Sequence, residues 1–120
     1  MNDVINHTDD ENYTLYGDMD TYQEKAVETA IYDPDHAVTY PLIGLVGEVG
    51  EFANKYKKVL RDGAHFTTQD ATAELGDILW YIANLANDLD ISLSDVAYYN
   101  VRKLRDRQAR GVLGGSGDER

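Results

Sequence analysis

Apolar residues recur at steps of three and four along four segments of the chain, which is the spacing of an amphipathic helix. The two strongest stripes lie in the middle of the sequence, one opening near Pro41 and one ending at Asp88. No segment alternates with a period of two, and no Asn-Gly hairpin signal occurs. The sequence therefore predicts an all-α fold, a four-helix bundle. The predicted helices cover about residues 21–31, 41–62, 68–88 and 93–107.

The composition excludes several classes of protein. The 120 residues carry 22 acidic and 11 basic side chains, and the net charge of -11 argues against binding a nucleic-acid polymer. The absence of Cys excludes disulfide scaffolds, thiolate zinc sites and Cys nucleophiles. The apolar runs are shorter than the ~20 residues that a membrane span requires, and no signal peptide is recognisable. We therefore expect a cytoplasmic protein that does not associate with membranes.

We expect one helical domain over residues 18–110, flanked by two polar segments. Residues 1–17 are acidic and lack periodicity, which predicts a flexible N-terminal arm. Residues 111–120 contain four glycines, which predicts a C-terminal tail that is either disordered or able to close over a ligand. A domain of this size buries only about two-thirds of its unfolded surface, so a shared core would help it fold. We expect a homodimer or a dimer of dimers.

Two pairs of acidic residues lie inside the apolar stripes of the second and third predicted helices. Glu48 and Glu51 are three residues apart, and so are Glu74 and Asp77, so each pair projects from one helix face. If the two helices pack antiparallel, as their short connection favours, the four carboxylates meet and require a cation. Oxygen ligands without Cys or a partner His favour Mg²⁺, with Mn²⁺ as a substitute. The alternative is a set of solvated carboxylates balanced by neighbours such as Lys55.

Nine of the eleven cations lie in two short clusters, one in the second predicted helix and one in the fourth. Both clusters lie near a helix end, where cations complement the macrodipole, so a structural role alone accounts for either of them. The functional alternative is phosphate binding. Asn100, Lys103 and Arg107 share a face of the fourth helix and are the first candidates for polyphosphate contacts. Lys55 and Lys58 are the second candidates.

Glycines and aromatic residues surround the carboxylate pairs. Gly44, Gly47 and Gly50 recur every three residues and cost about 1 kcal/mol each relative to Ala in a helix interior. They permit the close approach of another helix or of a ligand, and we favour helix packing. Tyr81 follows Asp77 by four residues and therefore shares its face, either packing there or contacting a ligand.

Three further aromatic or imidazole side chains have no role that spacing identifies. Trp80 lies in the apolar stripe of the third predicted helix, and we expect it in the core. His36 and His65 fall in predicted loops, and neither has a partner at a helical spacing. We expect both histidines at the surface.

The acidic motifs point to a known family. Residues 48–51 read Glu-Val-Gly-Glu, and 22 residues later 74–77 read Glu-Leu-Gly-Asp. This ordered pair resembles the E-x-x-E…E-x-x-D signature of the MazG-like, all-α nucleoside triphosphate pyrophosphohydrolases. Tyr22-Gln23, Trp80-Tyr81 and the Gly-rich ending are also similar, so the resemblance spans about residues 20–120.

The resemblance implies hydrolysis of nucleoside triphosphates, deoxynucleotides among them, to the monophosphate and pyrophosphate. It implies Mg²⁺ held by Glu48, Glu51, Glu74 and Asp77, and we interpret Glu48 as the base. It also implies that an aromatic residue such as Tyr81 lies beside the nucleotide, in a dimer or a dimer of dimers with the site near the subunit boundary. Two alternatives stay open: another pyrophosphate-linked substrate such as an alarmone, and a catalytically silent helical module.

Overall fold

A computed structural model describes residues 17–119, which form four α-helices and one short 3₁₀ turn. The helices are α1 (Met19–Glu28), α2 (Thr39–Asp62), α3 (Thr68–Asp88) and α4 (Leu93–Ala109), with the 3₁₀ turn at Pro34–His36. These residues contain no strand, so the all-α prediction is confirmed. Within the same range, no helix is both long and apolar enough to cross a membrane. The predicted flexible arm covers residues 1–17, and all of it except Gly17 lies outside the described residues.

Residues next to the helix ends set where three of the helices begin or stop. The hydroxyl of Thr67 accepts the Asp70 amide, and the Asp70 carboxylate accepts the Thr67 amide, so α3 begins with a reciprocal cap. Ser92 caps α4 by accepting the amide of Asp95. Gly63 ends α2 with a φ of 65°, a left-handed conformation that glycine adopts without strain.

The first helix differs from its predicted bounds. Asp18 accepts hydrogen bonds from the amides of Asp20 and Thr21 and caps α1, so the helix begins at Met19, two residues before its predicted start. The prediction that α1 reaches Ile31 was wrong. The amide of Thr29 donates to a carbonyl only three residues earlier, so the last turn tightens and the helix ends at Glu28.

The helices are arranged as an antiparallel pair with two further helices added on one side. The five-residue turn 63–67 reverses the chain, so that α3 runs back along α2. Helix α1 packs against α3, and α4 packs against α1. The α2 and α3 helices therefore share a long interface, the α2–α3 groove. Helix α4 makes its main helix contact with α1, and its first residue, Leu93, reaches the core beside α3.

The core of this single chain is small. It consists of Ala26, Ala83, Ala86 and Leu93, and Trp80 is among the partly buried side chains packed against it. The Trp80 indole donates to the Thr29 hydroxyl at 2.7 Å. Large apolar side chains remain open to solvent on α2 and on α4. The most exposed on these two helices are Leu60 (77%), Val46 (68%), Ile43 (67%), Tyr99 (64%) and Tyr98 (59%).

Gly44 is the glycine at which α2 and α3 come into close contact. A Cβ added there would lie 2.2 Å from Cε1 of Tyr81, which is far inside van der Waals contact. A Cβ at Gly47 or Gly50 would meet no atom of residues 17–119 within 4 Å beyond its own turn of helix. Helix packing therefore explains the first of the three glycines and not the other two.

We expect Gly44→Ala to lower the free energy of unfolding by about 1–3 kcal/mol, because the new methyl group overlaps the Tyr81 ring. Gly47→Ala is the matched control and should raise it by about 0.5–1 kcal/mol, since alanine is the better helix former. Urea unfolding at one protein concentration measures both. Adding Tyr81→Ala to Gly44→Ala should recover part of the loss. Equal midpoints for Gly44→Ala and Gly47→Ala would show that Tyr81 does not pack on Gly44.

Candidate functional site

Three of the four predicted carboxylates lie together between α2 and α3. Ligand oxygens of Glu48, Glu74 and Asp77 are all within 4.8 Å of one another. Glu48 projects from α2 and the other two project from α3, so the antiparallel packing of the helices brings them together. Three oxygens at this separation are close enough to bind a single ion.

Glu51 lies outside this group. It is one turn further along α2, its side chain is 54% exposed, and its Oε1 is 3.3 Å from Nζ of Lys55. We expected all four carboxylates to meet. The difference arises because a three-residue step places Glu51 some 60° around the helix from Glu48, on the solvent side of the groove.

Glu74 is the most buried of the carboxylates, with only 6% of its surface exposed. One of its oxygens, Oε1, accepts a hydrogen bond from Lys55. The other, Oε2, is buried and has no hydrogen-bond partner among the described residues. Leaving such an atom unpaired costs free energy, about 1–3 kcal/mol and more for a charged group. A buried, unpaired carboxylate oxygen beside two other carboxylates is the donor set that a hard divalent cation satisfies.

The electrostatics of the group favour a bound cation or proton. Burial raises the pKa of Glu48, and the negative charges of Asp77, Glu51 and Glu74 raise it further. Lys55 opposes this effect because its positive charge favours the ionised form. The carboxylates therefore repel one another, and Lys55 compensates only part of that repulsion.

We expect Glu48→Gln to stabilise the metal-free protein at pH 7, by an amount that shrinks as the pH falls towards the ordinary carboxyl pKa of 4.5. Because the folded pKa is raised, the contribution of Glu48 to stability is fully present below its unfolded pKa and is lost as the pH rises through the folded value. Melting temperatures in EDTA across this range, for the variant and the wild type, measure the difference. Asp70 and Asp118 have lowered pKa values, so they make both proteins less stable as the pH falls. Their effect cancels when the variant is compared with the wild type. A pH-independent difference would exclude Glu48 as its source.

A cavity of about 180 Å³ opens on one side of the carboxylate group. It is lined by Glu48, Asp77, Trp80 and Tyr81. The rings of Trp80 and Tyr81 meet edge to face with their centroids 5.0 Å apart. Tyr81, which we predicted to share the face of Asp77, therefore borders the carboxylates with its aromatic ring.

A second cavity of about 390 Å³ opens on the other side of Glu74. Its lining includes both lysines that we named as second candidates for phosphate contacts, Lys55 and Lys58. It also includes His65 and Phe66 from the turn between α2 and α3. Sequence spacing gave no signal for these two residues, because the path of a turn is not encoded by helical periodicity.

The first candidates for phosphate contacts lie elsewhere. Arg107 is only 4% exposed, and its guanidinium donates to the carbonyls of Gly117 and Asp118. The carboxylate of Asp118 also lies 3.4 Å from Nζ of Lys103. Asn100 is exposed on the same helix. Among the described residues, Lys103 and Arg107 form their ion pairs with Asp118 and with no member of the carboxylate group.

A larger groove, of about 900 Å³, lies between the start of α1 and the first half of α4. Apolar side chains line it together with Arg102 and Arg105. None of the three clustered carboxylates borders it, so its size does not identify it as the reactive site.

Comparison with known proteins bears directly on this site. The model of the MazG nucleotide pyrophosphohydrolase domain matches residues 39–112, from the start of α2 to just beyond α4. The match includes all four predicted carboxylates. The Gene 37 protein of Mycobacterium phage L5 is 50% identical in an alignment 112 positions long, and the alignment covers 85% of this chain and 98% of that protein. No solved structure matches the chain.

Proposed function

We propose that this chain, which belongs to the MazG nucleotide pyrophosphohydrolase family, hydrolyses nucleoside triphosphates to the monophosphate and pyrophosphate. We include deoxynucleoside triphosphates among the substrates. The observation that carries the proposal is the carboxylate group of Glu48, Glu74 and Asp77, with the unpaired buried oxygen of Glu74 at its centre.

We propose Mg²⁺ as the cation, with Mn²⁺ as a substitute, because the available donors are all carboxylate oxygens. When bound, the ion neutralises charge on the phosphate oxygens and polarises the phosphorus that water attacks. Glu48, Glu74 and Asp77 would hold it. Glu51 lies within one helical turn of this group. We propose that it becomes a further metal ligand when Lys55 moves towards the substrate and releases it.

Glu48 is the proposed base. It is only partly buried and faces the cavity that Trp80 and Tyr81 line, where an attacking water can reach it. Lys55 and Lys58 border the adjoining cavity, where they can donate to phosphate oxygens.

We propose a homodimer or a dimer of dimers as the active assembly. The single chain leaves large apolar side chains exposed on α2 and α4, and soluble monomers rarely tolerate extended apolar surface. In the same chain, Asn100, Lys103 and Arg107 lie on α4, whose main helix contact is with α1, and Lys103 and Arg107 pair with Asp118. Their predicted role in phosphate binding therefore requires that α4 from a second copy approaches the groove. Light scattering that gives a 13.5 kDa particle at micromolar concentration would contradict the assembly.

The direct test of function is release of pyrophosphate from a panel of nucleoside triphosphates in the presence of Mg²⁺. We expect equal amounts of monophosphate and pyrophosphate, and no activity in excess EDTA. Including an alarmone and damaged nucleotides in the panel identifies the substrate class. Release of inorganic phosphate as the first product, or no turnover of any member, would overturn the proposal.

A further inference from the structure

We propose that the N-terminal arm of the chain docks in the groove between the start of α1 and the first half of α4, here called the α1–α4 groove. In this arrangement residues 13–16 contact the apolar lining of the groove, and the acidic residues 9–11 face its two arginines. The interaction is independent of the proposed hydrolysis, because the groove borders none of the three clustered carboxylates.

The α1–α4 groove has an apolar part that residues 17–119 leave open. Met19 from α1 lines it together with Ala97, Tyr98 and Val101 from α4. Met19, Tyr98 and Val101 are all exposed, and the groove has a volume of about 900 Å³, enough for several side chains. Filling it with apolar side chains releases water from this surface, which favours an apolar occupant.

Two cations lie further along the same groove. Arg102 and Arg105 line it and are exposed, and neither is within ion-pair distance of a carboxylate in residues 17–119. Asp18 also lines the groove, but its carboxylate accepts two amides of the first turn of α1 as the helix cap. The charge of the two arginines therefore favours an acidic occupant at their end of the groove.

The N-terminal arm has this composition in the required order. Residues 13–16 read Tyr-Thr-Leu-Tyr, and three consecutive acidic residues, Asp9, Asp10 and Glu11, lie just before them. Residues 1–16 contain no Lys or Arg that would be repelled by the arginines of the groove. The apolar stretch lies next to α1 in sequence and the acidic stretch lies further away, which matches the apolar and cationic parts of the groove.

The length of the arm agrees with the length of the groove. The arm leads directly into α1, and the amide and hydroxyl of Ser94 donate to the Asp20 carboxylate at 3.0 and 2.7 Å, so the starts of α1 and α4 lie together. From Ser94 to Arg105, α4 rises about 16 Å at roughly 1.5 Å per residue. An extended chain covers this distance in about five residues. Counted back from Tyr16, the fifth residue is Glu11, so the acidic residues reach the arginines.

A second copy of the chain is the other candidate occupant of the groove. The arm is favoured because it is attached at one end of the groove, so its docking does not pay the entropy of bringing two molecules together. The groove also lies on a different side of α4 from Asn100, Lys103 and Arg107, about 150° around the helix. Docking of the arm therefore leaves that side of α4 available for the proposed assembly.

Disulfide formation between engineered cysteines tests the docking, because the chain contains no Cys of its own. We compare Leu15→Cys combined with Ala97→Cys, at a position in the groove, and Leu15→Cys combined with Asp95→Cys. Asp95 is exposed, does not line the groove and lies about 200° around α4 from Ala97. Under mild oxidation the first pair should form an intrachain disulfide about tenfold faster than the second, because docking raises the effective concentration of one thiol at the other.

Non-reducing electrophoresis with mass spectrometry of the linked peptides measures both rates and identifies the linked chains. Equal rates for the two pairs would show that the arm does not dock and would overturn the proposal. A disulfide that joins two chains would place the arm of a second copy in the groove and would overturn docking within one chain. Nuclear Overhauser contacts between the methyl groups of Leu15 and Ala97 test the wild type without any substitution, and their absence would also overturn the docking.

The cationic part of the groove has a test of its own. With the first cysteine pair in place, Arg102→Gln combined with Arg105→Gln should slow disulfide formation by about threefold at low salt, a modest effect because exposed ion pairs are weak. High salt should slow the parent pair in the same way. Lys57→Gln combined with Lys58→Gln is the matched control, since it makes the same change in net charge outside the groove. Equal rates in the arginine and lysine variants would overturn the pairing of the acidic residues with the arginines.

Discussion

Asp77→Asn should reduce turnover by about a thousandfold, the order of loss seen when a group that stabilises transition-state charge is removed. Asp77 belongs to the group of three carboxylates whose oxygens lie within 4.8 Å of one another, and an amide oxygen is a weaker ligand for a hard cation. Initial rates of pyrophosphate release at saturating Mg²⁺ measure the effect. Turnover within tenfold of wild type would remove Asp77 from the site.

We also predict how Asp77→Asn changes stability. Without metal, Asp77→Asn should be as stable as the wild type or more stable, because it relieves repulsion with Glu48. With Mg²⁺, the melting temperature of the wild type should rise more than that of the variant, since only the intact group binds the ion tightly. An equal rise in both proteins, or full wild-type activity in excess EDTA, would contradict the metal assignment.

Glu51→Gln separates the family motif from the geometry of this chain. The family motif predicts that Glu51 is a fourth metal ligand, whereas the structure places its carboxylate beside Lys55. A loss as large as that of Asp77→Asn would show that Glu51 joins the metal during catalysis. A loss of turnover of tenfold or less would show that Glu51 only forms the ion pair with Lys55.

Helical periodicity was enough to predict α2 and α3, and their short connection favoured the antiparallel pairing that the structure has. Each of these signals is local, as are the reciprocal cap at Thr67 and the glycine at 63 that bound the two helices. Once the two helices are antiparallel and joined by five residues, Glu48 must lie near Asp77. This is why the centre of the candidate site was accessible to sequence reasoning.

Contacts between distant elements were not accessible in this way. The spacing of Lys103 and Arg107 shows that they share a face of α4, but no local signal states which helix that face meets. In the structure the face receives Asp118 from the C-terminal segment. Likewise, the three-residue step of Glu48 and Glu51 places both on one side of α2 without showing that only one of them faces α3.

Gln23 is the clearest case of a residue whose role depends on long-range contacts. Gln23 falls in the first predicted helix, and from the sequence alone it was only part of the family resemblance. In the structure its amide Nε2 donates to the Ile91 carbonyl at 2.9 Å and to the Ala83 carbonyl at 3.3 Å. Its Oε1 accepts the amide of Leu93, the first residue of α4, at 3.0 Å. One buried side chain therefore joins α1, α3 and the beginning of α4.

Gln23→Met should lower the free energy of unfolding by about 3 kcal/mol. Methionine fills a similar volume, but it leaves the buried Leu93 amide and the Ile91 carbonyl without their partner, at about 1–3 kcal/mol for each group. The Leu93 amide has no partner within its own helix, because it lies in the first turn. Urea unfolding at a fixed protein concentration measures the change, with Glu24→Gln on the exposed face of α1 as the control, expected within about 0.5 kcal/mol of wild type. If Gln23→Met unfolds at the same urea concentration as this control, the bridge does not hold α4 in place.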